Sequence, residues 1–317
     1  MFGDETGGIV VDYGSHCAKF GFAGEDCPRL VTATTLPFAE QFRLGLSTLF
    51  PAAAAGESVL GKQDHPIMCI IPALLPVKEQ VSFTETLLED GQTPALYLLR
   101  SPVASAFASG KTNALVLDLG AGSARCSPVF QGFTLLKPTC QLEACGGTQL
   151  TNSLLASCRP ALPSKRSLVL AEELKLHSKF EPQEHQVYTL PDGTGVEYDA
   201  NLVQDALFPA LPDMVFDSLG KCDPDLRKLL VGEMLVVGGG SLFKGLGERL
   251  SRELADRLNP YFKPKVHSQG TSIERRFAPF VGGSILACLG SFQQEWASRQ
   301  EVLEVGAENL CLTRFVH

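Results

Sequence analysis

Ile9-Val10-Val11-Asp12-Tyr13-Gly14-Ser15 and, further along, Ala114-Leu115-Val116-Leu117-Asp118-Leu119-Gly120-Ala121-Gly122 are two apolar runs, each ending in Asp-x-Gly. Such an uninterrupted aliphatic run reads as a strand buried on both faces, the pattern of a parallel sheet. The glycine at its end permits a tight turn and brings bare backbone close to whatever lies beyond. A third run, Met234-Leu235-Val236-Val237, breaks into Gly238-Gly239-Gly240-Ser241. A carboxylate repels phosphate, so aspartates at two strand ends predict a cation between them and an anionic ligand. The pattern points to a nucleotide held between two related halves.

Composition narrows the class. A chain of 317 residues, 44% of them hydrophobic, can bury a large core and predicts two domains. The net charge of −8 comes from scattered residues, 27 Lys+Arg against 35 Asp+Glu, with no basic stripe. Direct nucleic-acid binding is therefore excluded from the expectations. The 10 cysteines contain no Cys-x-x-Cys pair and have no His-x-x-x-His partner, so zinc is not expected. They read as reduced core thiols, Cys17, Cys69, Cys126 and Cys288 all lying in apolar surroundings. Neither a signal peptide nor a bilayer-length apolar run is found, which predicts an intracellular protein with no membrane partner.

Strand and helix patterns alternate along the chain, predicting α/β layers with mostly parallel sheets. Residues 8–24 read as a hairpin turning at Gly14-Ser15. The stretch that follows, including Pro51-Ala52-Ala53-Ala54-Ala55-Gly56, reads as loop or a much-reduced insertion. Met68–Ile71 and Ala95–Leu99 read as strands, and Val77–Leu88 as a helix. Ser101 suits an N-cap, with Pro102 as first helical residue and Gly110 closing the helix. Helices are predicted over Leu168–Leu176 and near Pro224–Leu230, and a turn at Pro191-Asp192-Gly193. Phe243, Leu246, Leu250, Leu254 and Leu258 recur at helical spacing until Pro260. The expected domains are 1–145 with 275–317, and 146–274.

The loops carry the candidate chemistry. Gly14 and Ser15 offer backbone N–H groups at a tight turn, and Lys19 on the return strand adds positive charge at a phosphate. Alone, such a loop is commonly an ordinary hairpin turn; its duplication at Asp118–Gly122 gives it weight. Gly238–Ser241 stands before a helix, where bare backbone suits a nucleotide or close strand–helix packing. Neither Gly-x-Gly-x-x-Gly nor Gly-x-x-x-x-Gly-Lys-Ser/Thr occurs, which removes the dinucleotide and P-loop readings. The six histidines pair with no nucleophile in any recognisable motif.

Read in order, these segments resemble the actin superfamily along nearly the whole chain. Val11-Asp12-Tyr13-Gly14-Ser15 with Gly21-Phe22-Ala23-Gly24-Glu25-Asp26-Cys27-Pro28-Arg29 is similar to that family's first phosphate loop and hairpin. Phe107-Ala108-Ser109-Gly110, Tyr188-Thr189-Leu190-Pro191-Asp192-Gly193 and Lys221-Cys222-Asp223-Pro224-Asp225-Leu226-Arg227-Lys228 follow in the family's order. So do Glu274-Arg275-Arg276-Phe277, Val281-Gly282-Gly283-Ser284-Ile285-Leu286-Ala287 and Phe292-Gln293-Gln294-Glu295-Trp296. Within the superfamily, Gly3-Asp4-Glu5-Thr6-Gly7-Gly8, Gly24-Glu25-Asp26-Cys27-Pro28 and Ile273-Glu274-Arg275-Arg276-Phe277 are most similar to the nuclear actin-related protein 4 subfamily.

The resemblance implies an actin-like fold, two related α/β domains around a nucleotide cleft holding ATP or ADP with Mg2+. It places Asp12, Gly14, Ser15, Lys19, Asp118, Gly120, Gly122, Gly238, Gly239, Gly240, Phe243 and Arg276 at the nucleotide. Asp12 and Asp118 hold the metal through water. Three positions depart from the family. Its water-orienting glutamine is matched by Ser101, and an additional aspartate and a nearby histidine are matched by Ala121 and Arg125. Phosphoryl transfer rests on positioning and charge stabilisation, so turnover is expected to be very low or absent, with no catalytic residue assigned.

Between Arg29 and His65 the chain is too short for the family's full outer subdomain, which is expected to be reduced over about 30–64. A subunit lacking one of two polymer interfaces cannot propagate, so no homopolymer is expected. The subfamily implies a structural subunit of a nuclear chromatin-remodelling or histone-acetyltransferase complex. Its expected partners are actin and a long helix of a remodeller or acetyltransferase scaffold subunit, docked helix-in-groove near Phe292–Trp296, with ordinary core packing the expected role of Trp296 itself. A divergent cytoskeletal actin-like ATPase, with cytoplasmic localisation, is the alternative; a small-molecule kinase lacks a candidate base.

Overall fold

The computed structural model describes residues 7–50, 64–159, 167–177, 186–189, 193–199, 201–259, 261–268 and 270–315. The chain packs as two compact units: Met1–Asn113 with Val129–Leu136 and Phe277–His317, and Ala114–Pro128 with Lys137–Arg276.

In chain order the first unit opens with β1 (Ile9–Tyr13), β2 (Cys17–Phe22), β3 (Leu30–Ala33), α1 (Phe38–Leu49), β4 (Ile67–Ile71), α2 (Val77–Glu89), β5 (Ala95–Arg100) and α3 (Ser101–Ala108). Next come β6 (Ala114–Leu119), β7 (Ala124–Phe130), β8 (Phe133–Thr134), β9 (Cys140–Leu142), α4 (Gly147–Ser157), α5 (Ser167–His177), β10 (Gln186–Thr189), β11 (Gly195–Tyr198), α6 (Asn201–Leu207), α7 (Ala210–Gly220) and α8 (Pro224–Gly232). Then follow β12 (Met234–Val237), a 3-10 turn (Gly239–Leu242), α9 (Leu246–Arg257), β13 (Val266–His267) and α10 (Ser272–Arg276). The chain returns to the first unit with α11 (Ala278–Cys288), β14 (Ala297–Ser298), α12 (Arg299–Val305) and α13 (Ala307–Thr313).

The first sheet has the order β14-β5-β4-β1-β2-β3. Its centre, β1, β4 and β5, is parallel, with Ile9 opposite Ile67 and Ile67 opposite Leu96. Every residue of β4 is buried, as an uninterrupted Ile-Met-Cys-Ile-Ile run requires when both faces are covered. On one face α11 meets Val10 and Ile70 through Gly283, while Gly282 lies so close to α3 that a Cβ there would overlap the Ala104 carbonyl oxygen. The Gly282-Gly283 pair thus sets the helix-to-helix and helix-to-sheet distances.

Residues expected as loop form β3 and α1. Phe38, Phe42 and Leu46 give α1 one buried face, and Phe38 stacks on Phe83 of α2 with centroids 3.7 Å apart. Gly45 interrupts that apolar stripe because the Phe20 ring occupies the space a side chain would need. The Pro51–Gly56 segment lies outside the described residues, as do Pro191 and Asp192 of the expected turn. Helix α3 begins at Ser101 itself, so Arg100 and not Ser101 holds the cap position, and no side chain caps it. Ser101 is its first residue, ahead of Pro102.

The second sheet runs β13-β12-β6-β7-β8, with β9 also pairing β7. The unit boundary passes through β7, whose last residues Val129 and Phe130 pair with β8 inside the first unit. Residues 114–128 and 137–145, placed in the first domain from sequence, pack in the second unit. The cause is long-range: β6 runs parallel to β12, Leu115 opposite Met234 and Asp118 opposite Val237. Leu115, Leu117, Met214, Val215, Leu250 and Leu254 form the shared core, each 0–3% exposed. Leu154, Cys158, Leu174, Val196 and Tyr198 build a smaller one under α4, α5 and β11.

All 10 cysteines are free. Cys69 and Cys126 are buried as expected; Cys17 is half-buried, and Cys27 and Cys288 are exposed, so burial is not general. Among the described residues no helix is long and apolar enough to cross a membrane.

Candidate functional site

The first Asp-x-Gly loop joins β1 to β2. Asp12 and Lys19 stand opposite each other across that hairpin, and Lys19 Nζ donates to Asp12 Oδ2 at 2.8 Å. Their side chains are 11% and 8% exposed for Lys19 and Asp12, so the pair sits in a largely dry setting. The ammonium also lies 3.1 Å from where a Cβ on Gly14 would be, directly under the turn. Gly14 N–H is spent on the Cys17 carbonyl at 3.2 Å, which corrects the expectation that it faces a ligand. Thr34 takes up the remaining acceptors: its hydroxyl donates to Gly14 O and its N–H to His16 O. Ser15 is exposed and makes no hydrogen bond among the described residues.

The second loop repeats this geometry inside its own unit. Gly120 N–H donates to the Ser123 carbonyl at 3.1 Å, the counterpart of Gly14 and Cys17. The repeat extends to the return strand: Lys19 stands 7 residues after Asp12, and Arg125 holds the same offset after Asp118. Arg125, however, turns to β9, where its Nε donates to Gln141 Oε1 at 2.8 Å. Helix α4 braces the loop from the other side. Gly147 N–H donates to Gly120 O and Thr148 N–H to Ala121 O, at 3.0 and 2.9 Å. Gly146 packs so closely that a Cβ would come within 2.6 Å of Gly122 O. Lys175 Nζ bonds Gly147 O and Thr151 Oγ1, and burial lowers its pKa. Sequence reasoning missed α4 and Lys175; the Gly146-Gly147 pair before an apolar helical pattern was the available signal.

The triple glycine is the third element, at the end of β12 beside Asp118. Gly238 has φ +85° and ψ 174°, and a Cβ on it would lie 2.6 Å from Asp118 Oδ1 and 2.7 Å from Leu119 O. Its N–H donates to Arg275 O, and Arg275 Nη1 donates to Ser241 O, so α10 ties the turn down. Gly240 is pressed against Leu119, whereas Gly239 is exposed with nothing within 4 Å of a Cβ. Of the residues predicted here, Phe243 is 6% exposed and belongs to the core with Leu246 and Leu250. Arg276 ends α10, next to the residue that ties the turn.

A magnesium-bound phosphate needs bare N–H donors, a nearby cation and carboxylates that hold metal-bound water. Within the first unit, Gly14 lies over the Lys19 ammonium, which pairs with the Asp12 carboxylate, and the next residue, Ser15, is exposed. Within the second, Ala121, Gly122 and Gly239 N–H groups take no hydrogen bond among the described residues, and Asp118 stands between their loops. Each unit by itself supplies part of what such a group needs: the first a carboxylate with a cation, the second a carboxylate with bare N–H groups.

The actin family model matches residues 47–166 and 161–315, most of the chain. The chain belongs to the actin family. Actin-related protein 4 of Arabidopsis thaliana is 27% identical over 431 aligned positions, covering 96% of this chain and 98% of the relative. Actin-related protein 4 of Yarrowia lipolytica is 26% identical over 414, covering 97% and 96%. Actin-like protein 9 of Bos taurus is 30% identical over 372, covering 96% and 88%. The actin-like fold and the likeness to actin-related protein 4, both expected from the motifs, are thereby shown. An aligned span of 431 positions exceeds this chain's 317 residues, so the plant relative carries segments with no counterpart here.

Proposed function

We propose that this actin-family chain is a structural, non-filamentous subunit of a nuclear chromatin-remodelling or histone-acetyltransferase complex, holding ATP or ADP with Mg2+ without appreciable turnover. The observation that carries this reading is the split between what the loops keep and what they lack. Asp12, Lys19 and Asp118 remain, with bare N–H donors around them. At the positions that would order a water, Ala121 offers a methyl group, Arg125 is tied to Gln141, and Ser101 is a short, nine-tenths buried hydroxyl. Binding survives such losses, while a hydrolytic step that depends on positioning does not. Bound nucleotide then stabilises the fold by mass action, an advantage to a scaffold.

The assembly role is supported by similarity to actin-related protein 4 in both a plant and a yeast. Actin and a long scaffold helix are the proposed partners. The short stretch between Arg29 and His65, where the family places its outer subdomain, supports a subunit that does not polymerise. Affinity purification of the full chain with mass spectrometry tests this. Acetyltransferase or remodeller subunits together with actin are the expected recovery. The 30% identity to actin-like protein 9 favours a second reading, a divergent cytoskeletal actin-like ATPase. Recovery of cytoplasmic actin-nucleating proteins in place of nuclear subunits would select that one.

A further inference from the structure

We propose that Cys126 and Cys140 form a peroxide-responsive thiol pair, with Cys140 the entry thiol and Cys126 the resolving one. The two residues are direct partners across antiparallel β7 and β9. Residues so placed have Cα atoms about 4.5–5.5 Å apart and side chains on one face of the sheet. That spacing lies inside the window of about 4.4–6.8 Å that a disulfide needs. The adjacent pair in the same register, Arg125 and Gln141, has side chains in contact at 2.8 Å, so opposed residues on these strands do meet.

The two thiols differ in access. Cys140 is half-buried at the edge of the core, and Lys221 Nζ lies 3.4 Å from its sulfur. The Cys140 Sγ–H donates to the Pro138 carbonyl at 3.5 Å, and its half-buried position makes it the sulfur of the pair that peroxide can reach. Cys126 is fully buried, and burial pushes its thiol up to about 12, so it stays protonated and out of reach of oxidant. Cys222 is a third thiol in the same core, with its Sγ–H donating to Ser218 O at 3.3 Å.

Hydrogen peroxide is the oxidant. The Cys140 sulfur attacks one peroxide oxygen and the O–O bond breaks; the departing hydroxide takes up the proton that the Cys140 thiol gives up, forming water and leaving sulfenic acid. Cys126 sulfur then attacks the Cys140 sulfur. The S–S bond forms, the S–O bond breaks, and the Cys126 proton leaves with the hydroxide as a second water. The sulfurs lose two electrons and one peroxide becomes two waters. The product joins β9 to the strand that returns from the Asp118 loop.

Peptide mapping of the intact, reduced protein after stoichiometric hydrogen peroxide tests the pair. A Cys126–Cys140 crosslink is expected, reversed by reductant and lost in Cys140→Ser. Cys126→Ser is expected to accumulate sulfenic acid at Cys140, captured by dimedone, so a failure to crosslink is separable from a failure to fold. Oxidation confined to exposed Cys27 and Cys288, or a Cys140–Cys222 crosslink, would overturn the proposal.

Discussion

Lys19→Met is expected to destabilise the fold by about 3–5 kcal/mol, because it strands the Asp12 carboxylate in a setting where that side chain is only 8% exposed. The intact pair itself contributes much less than this, since bringing both charges out of water offsets most of their attraction. The penalty belongs to the charge left behind. A double variant, Asp12→Asn with Lys19→Met, is therefore expected to recover most of the lost stability, and the cycle isolates the coupling. Urea denaturation of the four proteins measures it. Affinity for magnesium nucleotide should fall in both single variants and remain low in the double, which separates the ligand role from the structural one. A Lys19→Met protein as stable as the parent would show that Asp12 is solvated and that the loop is an ordinary turn.

Gly238→Ala is the second large effect, expected at about 3 kcal/mol or more. Its φ of +85° with ψ of 174° falls in a region that only glycine occupies freely, and the strain alone is worth about 1–3 kcal/mol. The added methyl would also meet Asp118 Oδ1 and the Leu119 carbonyl, the second of which is backbone at the end of β6 and cannot rotate away. Gly239→Ala provides the contrast one residue on. Its Cβ meets nothing within 4 Å, so stability should change by less than about 0.5 kcal/mol. If the turn receives a phosphate, that same methyl intrudes on the ligand, and Gly239→Ala weakens nucleotide affinity while leaving the melting transition in place. Equal loss of stability in the two variants would contradict the packing described around Asp118.

The strands β1, β4, β6 and β12 were legible because burial on both faces demands uninterrupted aliphatic residues, a signal needing no knowledge of partners. Helix α1 was not. Its stripe of Phe38, Phe42 and Leu46 is broken at Gly45, and only the Phe20 ring across the interface explains why nothing larger stands there. The Asp12–Lys19 contact required the hairpin register, although the matching offset of Arg125 from Asp118 was visible in the chain. The unit boundary was misplaced because β6 follows the first unit in sequence but pairs with β12, a contact that local patterns cannot announce. Ser101 has the chemistry of a cap and sits one residue inside the helix, since Pro102 fixes the helix start only to within a position. Phe243 is placed at the nucleotide by the family resemblance alone; its ring packs in the core that anchors α9.

The central claim is a phosphate site that binds without turning over, and single-turnover kinetics of the full chain with magnesium and ATP tests it most directly. Saturable nucleotide binding, lost in Lys19→Met, with no phosphate released beyond the uncatalysed background, is the predicted result. Hydrolysis at the rate of a filament-forming actin would contradict the account, because it would mean that some other group does what Ala121, Arg125 and Ser101 leave undone.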